Sequence, residues 1–126
     1  MTRDARQPEG IARPQAPYSP VVVSGEHVYT AGQVAFDASG ELVPGGVEEQ
    51  THQVFANLRA CLQAAGCDLD DVVKVNAYLT DLANFPVFND VYRSYFSEPF
   101  PARTTVQAGL APGLLVEIEA VARRPS

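Results

Sequence analysis

An arginine and a glutamate near the C-terminus are the side chains best placed to do chemistry in this 126-residue chain. Arg103 opens the β-prone stretch 103–109 (RTTVQAG), and Glu117 and Glu119 alternate with apolar residues through 114–123 (LLVEIEAVAR). A guanidinium holds a carboxylate bidentately, and a carboxylate drawn partly out of water shifts its pKa toward general acid–base use. A tight hairpin centred near Leu110 or Ala111 would pair residues whose numbers sum to about 220–222. That register predicts Arg103 across from Glu117 or Glu119, on one face. As an exposed ion pair it would contribute about 0–1 kcal/mol and carry no function. The rest of the face argues for more, because Leu115 and Val121 stand beside the carboxylates and would be left in water on a monomer. A sheet with helices on one side and such a face on the other predicts an oligomer, with the Arg–Glu pair partly desolvated at its edge.

Other chemistry-bearing residues are weaker. His27 and His52 have no second ligand at metal spacing, so both read as solvated or packed histidines. Cys61 and Cys67 are too far apart for a CxxC pair and read as buried thiols on a helix and in the loop after it. Gly45-Gly46 precedes a helix but lacks the lysine and fuller glycine pattern of a phosphate cradle. Asp70-Asp71 reads as a polar loop. No metal site and no cofactor site is expected.

Composition narrows the function classes further. The chain carries 9 basic and 15 acidic residues, a net charge of −6. Between Val21 and Ala122 the four basic residues Arg59, Lys74, Arg93 and Arg103 are set against thirteen acidic ones. A nucleic-acid binder displaces counterions with a basic stripe, and this body has none. No apolar run approaches the roughly 20 residues of a membrane span, and the N-terminal arginines are not followed by the apolar stretch of a signal peptide. A soluble, cytoplasmic protein is expected.

The elements that must position Arg103 and Glu117 follow from periodicity. Residues 1–15, rich in proline and arginine, read as a flexible N-terminal arm ahead of one domain over 16–126. Residues 18–24 and 26–34 read as strands of a hairpin turning at Gly25. Val54, Phe55, Leu58, Cys61, Leu62 and Ala65 fall on one face of a helix over 47–65, with Glu48 and Glu49 in its first turn and Gly66 as its stop. Residues 72–80 alternate as a strand, with Val73, Val75, Ala77 and Leu79 on one face. A second helix carries Phe85, Phe88, Tyr92, Tyr95 and Phe96 on one side, Asn84 as its N-cap and Pro86 in its first turn. That aromatic stripe reads as core. The order β-β-α-β-α-β-β describes an α+β domain, a mixed sheet with two helices on one face.

The strings Ala16-Pro17-Tyr18-Ser19, Thr30-Ala31-Gly32-Gln33, Asn57-Leu58, Lys74-Val75 and Asn89 with Tyr92 and Phe96 form a larger pattern. With Phe100-Pro101-Ala102-Arg103-Thr104-Thr105-Val106 and Val116-Glu117-Ile118-Glu119-Ala120 they span about residues 16–124. The pattern resembles the RidA/YjgF family of small trimeric proteins, many of them imine/enamine deaminases.

The resemblance implies a chorismate-mutase-like fold and a homotrimer with clefts between subunits. It implies no cofactor and, as partner, a small carboxylate-bearing imine, while charge and hydropathy already argue against nucleic acid and membrane. It assigns Arg103 to the substrate carboxylate and Glu117 to a water that attacks the C=N carbon. Tyr18 would line the cleft, the Gly32 amide would lie by the carboxylate, and Asn89 would stand in the cleft region. Two positions depart from the pattern. Ala31 stands where many members have a serine, and Thr105 where archetypal members have a cysteine, although the contact implied there is largely with the backbone. The implied reaction is hydrolysis of 2-imino acids of the 2-iminobutanoate/2-iminopropanoate type to 2-oxo acid and ammonia. A pathway-specific aminoacrylate or aminomuconate deaminase and a non-catalytic carboxylate-binding trimer are the alternatives.

Overall fold

A computed structural model of the chain describes residues 2–126. Six strands form one mixed sheet, and both helices pack on the same face of it. Strands β2 (Val21–Ser24) and β3 (His27–Thr30) form the expected hairpin, with Gly25 at φ +60°, where a side chain would be strained. Helix α1 runs Val47–Ala64, one residue short of the expected end. Glu49 Oε1 accepts from the Gly46 amide at 2.7 Å, and Gly66 closes the helix at φ +79°. Val54, Phe55, Leu58, Cys61 and Leu62 are all fully buried against the sheet, as the helical spacing predicts.

Strand β4 (Val72–Leu79) departs from simple alternation. A bulge between Val72 and Lys74 puts Val72 into the core and leaves Val73 48% exposed, so Val73 is not the core residue that period two predicts. Helix α2 spans Phe85–Arg93. Asn84 occupies its N-cap position without a capping side-chain bond. Asp81, accepting from the Ala83 amide at 2.9 Å, instead caps the short 3₁₀ turn that precedes the helix.

The largest correction concerns the last two strands, β5 (Ala102–Gln107) and β6 (Val116–Arg123). They are not hairpin partners. β5 lies parallel to β4, with Arg103 level with Val75, and β6 enters between β3 and β4. Helix α2 supplies the crossover that a parallel pair requires, so β5 lands outside β4 at the sheet edge. The central slot goes to the strand best able to fill it, since Val116, Ile118, Ala120 and Ala122 of β6 are all buried on the helix side. Gln50, buried on α1, donates to Gly113 O and accepts from the Leu115 amide, both at 2.8 Å, and so fixes the turn that delivers β6.

At the opposite edge, Asp4–Arg6 form a further strand, β1, antiparallel to β2. Arg6 also donates to Ala64 O at the end of α1, at 3.1 Å. The proline-rich composition predicts a flexible arm, yet three of its residues are seated on the sheet through backbone pairing that composition does not encode.

Candidate functional site

The site is built in two halves, on opposite faces of the sheet. Arg103 shares a face with its partner Val75, which is core, and so points to the helix side. Glu117 shares a face with Tyr78, three positions along the same strand and therefore on the open side. The expected pairing of Arg103 with Glu117 or Glu119 within one chain does not occur. A strand lies between them, and their side chains leave opposite faces.

The arginine half rests on α2. The guanidinium carbon of Arg103 lies 4.6 Å from the ring centroid of Tyr92 and 5.5 Å from those of Phe85 and Phe88. Aromatic faces attract a cation and fix the plane of a guanidinium while leaving its N–H groups unspent. Among the described residues Arg103 has no carboxylate within ion-pair distance. Around it, Asn89 Oδ1, Tyr92 Oη and Thr105 Oγ1 are buried side-chain atoms without a hydrogen-bond partner. Burial pushes the Tyr92 phenol pKa up, with Arg103 acting weakly the other way. A groove of about 290 Å³ opens here between Arg103, Asn89, Tyr92 and Phe100. Buried polar atoms are ordinarily satisfied, so the orphaned Asn89 Oδ1 and Thr105 Oγ1 beside an unpaired cation make this groove a candidate site for a polar ligand.

The glutamate half stands where β6 meets the loop after β3. The amides and carbonyls of Gln33 and Ile118 pair reciprocally at 2.8 and 3.1 Å, which lays Gly32 against Glu117. A methyl group added at Gly32 would lie only 2.8 Å from the Glu117 carboxyl carbon. Glycine is therefore needed at this position for close approach, not for an unusual φ. Asn57 on α1 holds the following loop, donating to Val34 O and Phe36 O at 2.9 Å each. Burial, and after it the neighbouring Glu119, hold the Glu117 carboxyl above the ordinary glutamate range. Glu119 itself accepts from Tyr78 Oη at 2.9 Å. A cavity of about 590 Å³ adjoins this half, with Tyr18 and Gly32 in its wall.

The candidate residues thus separate into Arg103, Asn89 and Thr105 on one side and Glu117, Gly32 and Tyr18 on the other. Ala31 lines neither space and takes part through its backbone, its amide donating to Pro20 O at 2.8 Å. The aromatic stripe has a second role beyond core, because Phe85, Phe88 and Tyr92 are the bed of Arg103. Nothing in the spacing of α2 signals that β5 will lie beneath it. Cys61 is buried with its thiol pKa pushed up to about 12, and Cys67 is also free and buried. His27 is exposed, and His52 shares a 2.6 Å hydrogen bond with Tyr95 Oη. No cluster of metal-ligating side chains occurs among the described residues, nor does any described helix have the length and apolarity to cross a membrane.

A mixed sheet with two helices on one face, its candidate residues divided between that face and the bare one, defines a small α+β class. The family model described as Endoribonuclease L-PSP matches residues 10–124, and the chain belongs to this YjgF/RidA family. It is 48% identical over 108 residues to the 2-iminobutanoate/2-iminopropanoate deaminase of Bos taurus, covering 84% of this chain and 79% of that protein. To a RutC family protein of Pyrococcus horikoshii it is 43% identical over 116 residues, 90% and 92% of the two chains. The crystal structure of RidA from an Antarctic Psychrobacter superposes with a TM-score of 0.90 at 42% identity, covering 96% of this chain and 99% of that one.

Proposed function

We propose that this chain is an imine deaminase that hydrolyses 2-imino acids of the 2-iminobutanoate/2-iminopropanoate type, or their enamine tautomers, to 2-oxo acid and ammonia. The observation that carries the reading is the complementary state of the two halves: an unpaired, aromatic-bedded Arg103 ringed by unsatisfied polar atoms, and a half-buried Glu117 pressed against Gly32. Arg103 binds the substrate carboxylate through a bidentate, charge-assisted pair, with Asn89 and Thr105 as neighbouring polar contacts. Glu117 orients a water and accepts its proton as the oxygen adds to the C=N carbon. That proton passes to nitrogen, the hydroxyl proton of the adduct follows it through the same carboxylate, the C–N bond breaks, and ammonia leaves as the C=O bond forms. The raised carboxyl of Glu117 suits both the uptake and the return of that proton.

Because one chain keeps Arg103 and Glu117 on opposite faces, the reading requires a second copy. A homotrimer with a cleft at each subunit boundary joins the arginine half of one copy to the glutamate half of the next. The open sheet face supports this, since Tyr29 and Val106 are 46% and 42% exposed there beside the half-buried Val121. The ribonuclease activity in the family description finds no footing in the charge. Arg59 and Arg93 are paired with Asp68 and Asp90, leaving Lys74 and Arg103 in an otherwise acidic body.

The test generates 2-iminobutanoate in situ from threonine with a pyridoxal-phosphate dehydratase and follows 2-oxo acid and ammonia. Acceleration by the wild type that vanishes in Arg103→Ala is expected. Tight binding of a small carboxylate with no acceleration would favour the carboxylate-binding trimer instead.

A further inference from the structure

We infer that the cleft accepts 2-imino dicarboxylic acids, with Arg13 holding the carboxylate at the far end of the side chain. The inference rests on the deaminase reading and concerns the 590 Å³ cavity beside Gly32 and Tyr18. Cavities of roughly 300–1,000 Å³ accommodate ligands several times larger than a four-carbon imino acid, so the substrate's side chain has room to extend.

The polar groups of that wall differ in how far they are already engaged. Asn57 spends its amide group on Val34 O and Phe36 O, and its oxygen accepts from Gln53. Gln33 donates to Ala31 O at 3.3 Å. Asp37, the one acidic residue of the wall, is tied into its own turn, with Oδ1 accepting from the amides of Ser39 and Glu41 at 2.9 and 3.0 Å. Arg13 is the one basic residue of the wall, and among the described residues it has no ion-pair partner. In a chain of net charge −6, a dianion needs local positive charge at each end. Arg103 of the adjoining copy supplies one end and Arg13 the other, with the C=N carbon held between them over Glu117.

The experiment compares kcat/KM for 2-iminoglutarate and 2-iminobutanoate, each generated in situ by a flavin amino-acid oxidase with catalase present. Wild type, Arg13→Ala, Arg13→Glu and Arg13→Lys are assayed together. The monocarboxylate has nothing for Arg13 to hold and serves as the internal reference. Relative to it, the dicarboxylate rate is expected to fall about fivefold in Arg13→Ala, as for an exposed charge pair, further in Arg13→Glu, and to recover in Arg13→Lys. An unchanged ratio in all three variants, or a wild type active only on the monocarboxylate, would overturn the role of Arg13. Inactivity on both imines would overturn the deaminase reading itself.

Discussion

The two halves of the site are held by opposite physics. On the helix face, Arg103 lies on three aromatic rings, where a flat cation is oriented by dispersion and ring electrostatics. On the open face, Glu117 is oriented by backbone: reciprocal bonds between Gln33 and Ile118 bring Gly32 up to the carboxylate, and Glu119 repels it from along the strand. The first arrangement fixes the plane of a permanent charge, and the second raises the proton affinity of a carboxyl. Within one chain the two side chains leave opposite faces and do not pair, as they would have in a hairpin register.

The largest effect expected from breaking this contrast is at Arg103. If Arg103 anchors the substrate carboxylate as proposed, replacement by alanine should lower kcat/KM at least about 100-fold, with circular dichroism and light scattering unchanged. Glu117→Gln comes next. It keeps the shape of the half-site but not its proton acceptor, so turnover should fall about 100-fold while calorimetry shows the carboxylate ligand still binding.

The same variant sharpens the comparison through pH. The folded state holds the Glu117 carboxyl above its unfolded value, so the native chain binds more protons across that window. Stability therefore falls as pH rises through the window, and glutamine removes the loss. The variant's Tm should exceed the wild type's at pH 7, with the difference vanishing below the ordinary glutamate range.

Gly32→Ala tests the backbone side alone. Its φ is ordinary, so the added methyl displaces only the flexible end of Glu117. Activity should fall about tenfold with Tm nearly constant. The smallest effect belongs to Tyr92→Phe, which keeps the ring under Arg103 and removes a buried, unpartnered hydroxyl. Thermal stability should rise by about 1 kcal/mol or less, and activity should stay within about twofold.

The elements were legible in the sequence where a single period ran undisturbed. The apolar face of α1 and the alternation of β6 both fall where their spacing puts them. Local patterning singled out Arg103 and Glu117 but placed them on one face, whereas Tyr18, Gly32 and Asn89 entered only through family motifs, because nothing local joins position 32 to 117 or 92 to 103. Sheet order was the feature that local reasoning lost. Chain proximity favours a hairpin between β5 and β6, but the α2 crossover and the apolar face of β6 together place β4 between them. That one reversal moves Arg103 to the other side of the sheet. A bulge at Val73 and the edge strand of Asp4–Arg6 escaped for a similar reason, since both depend on backbone pairing with residues distant in sequence.

The proposed division of the site between neighbouring copies of a trimer is tested most directly by complementation. Arg103→Ala and Glu117→Gln chains, each nearly inactive alone, are co-expressed with different tags, and hybrid trimers are isolated on both. If each cleft takes its arginine from one subunit and its glutamate from the next, every hybrid keeps one native cleft of three, and activity should return to about a third of wild type. Hybrids as inactive as their parents would contradict the account, because they would show that Arg103 and Glu117 must come from the same chain.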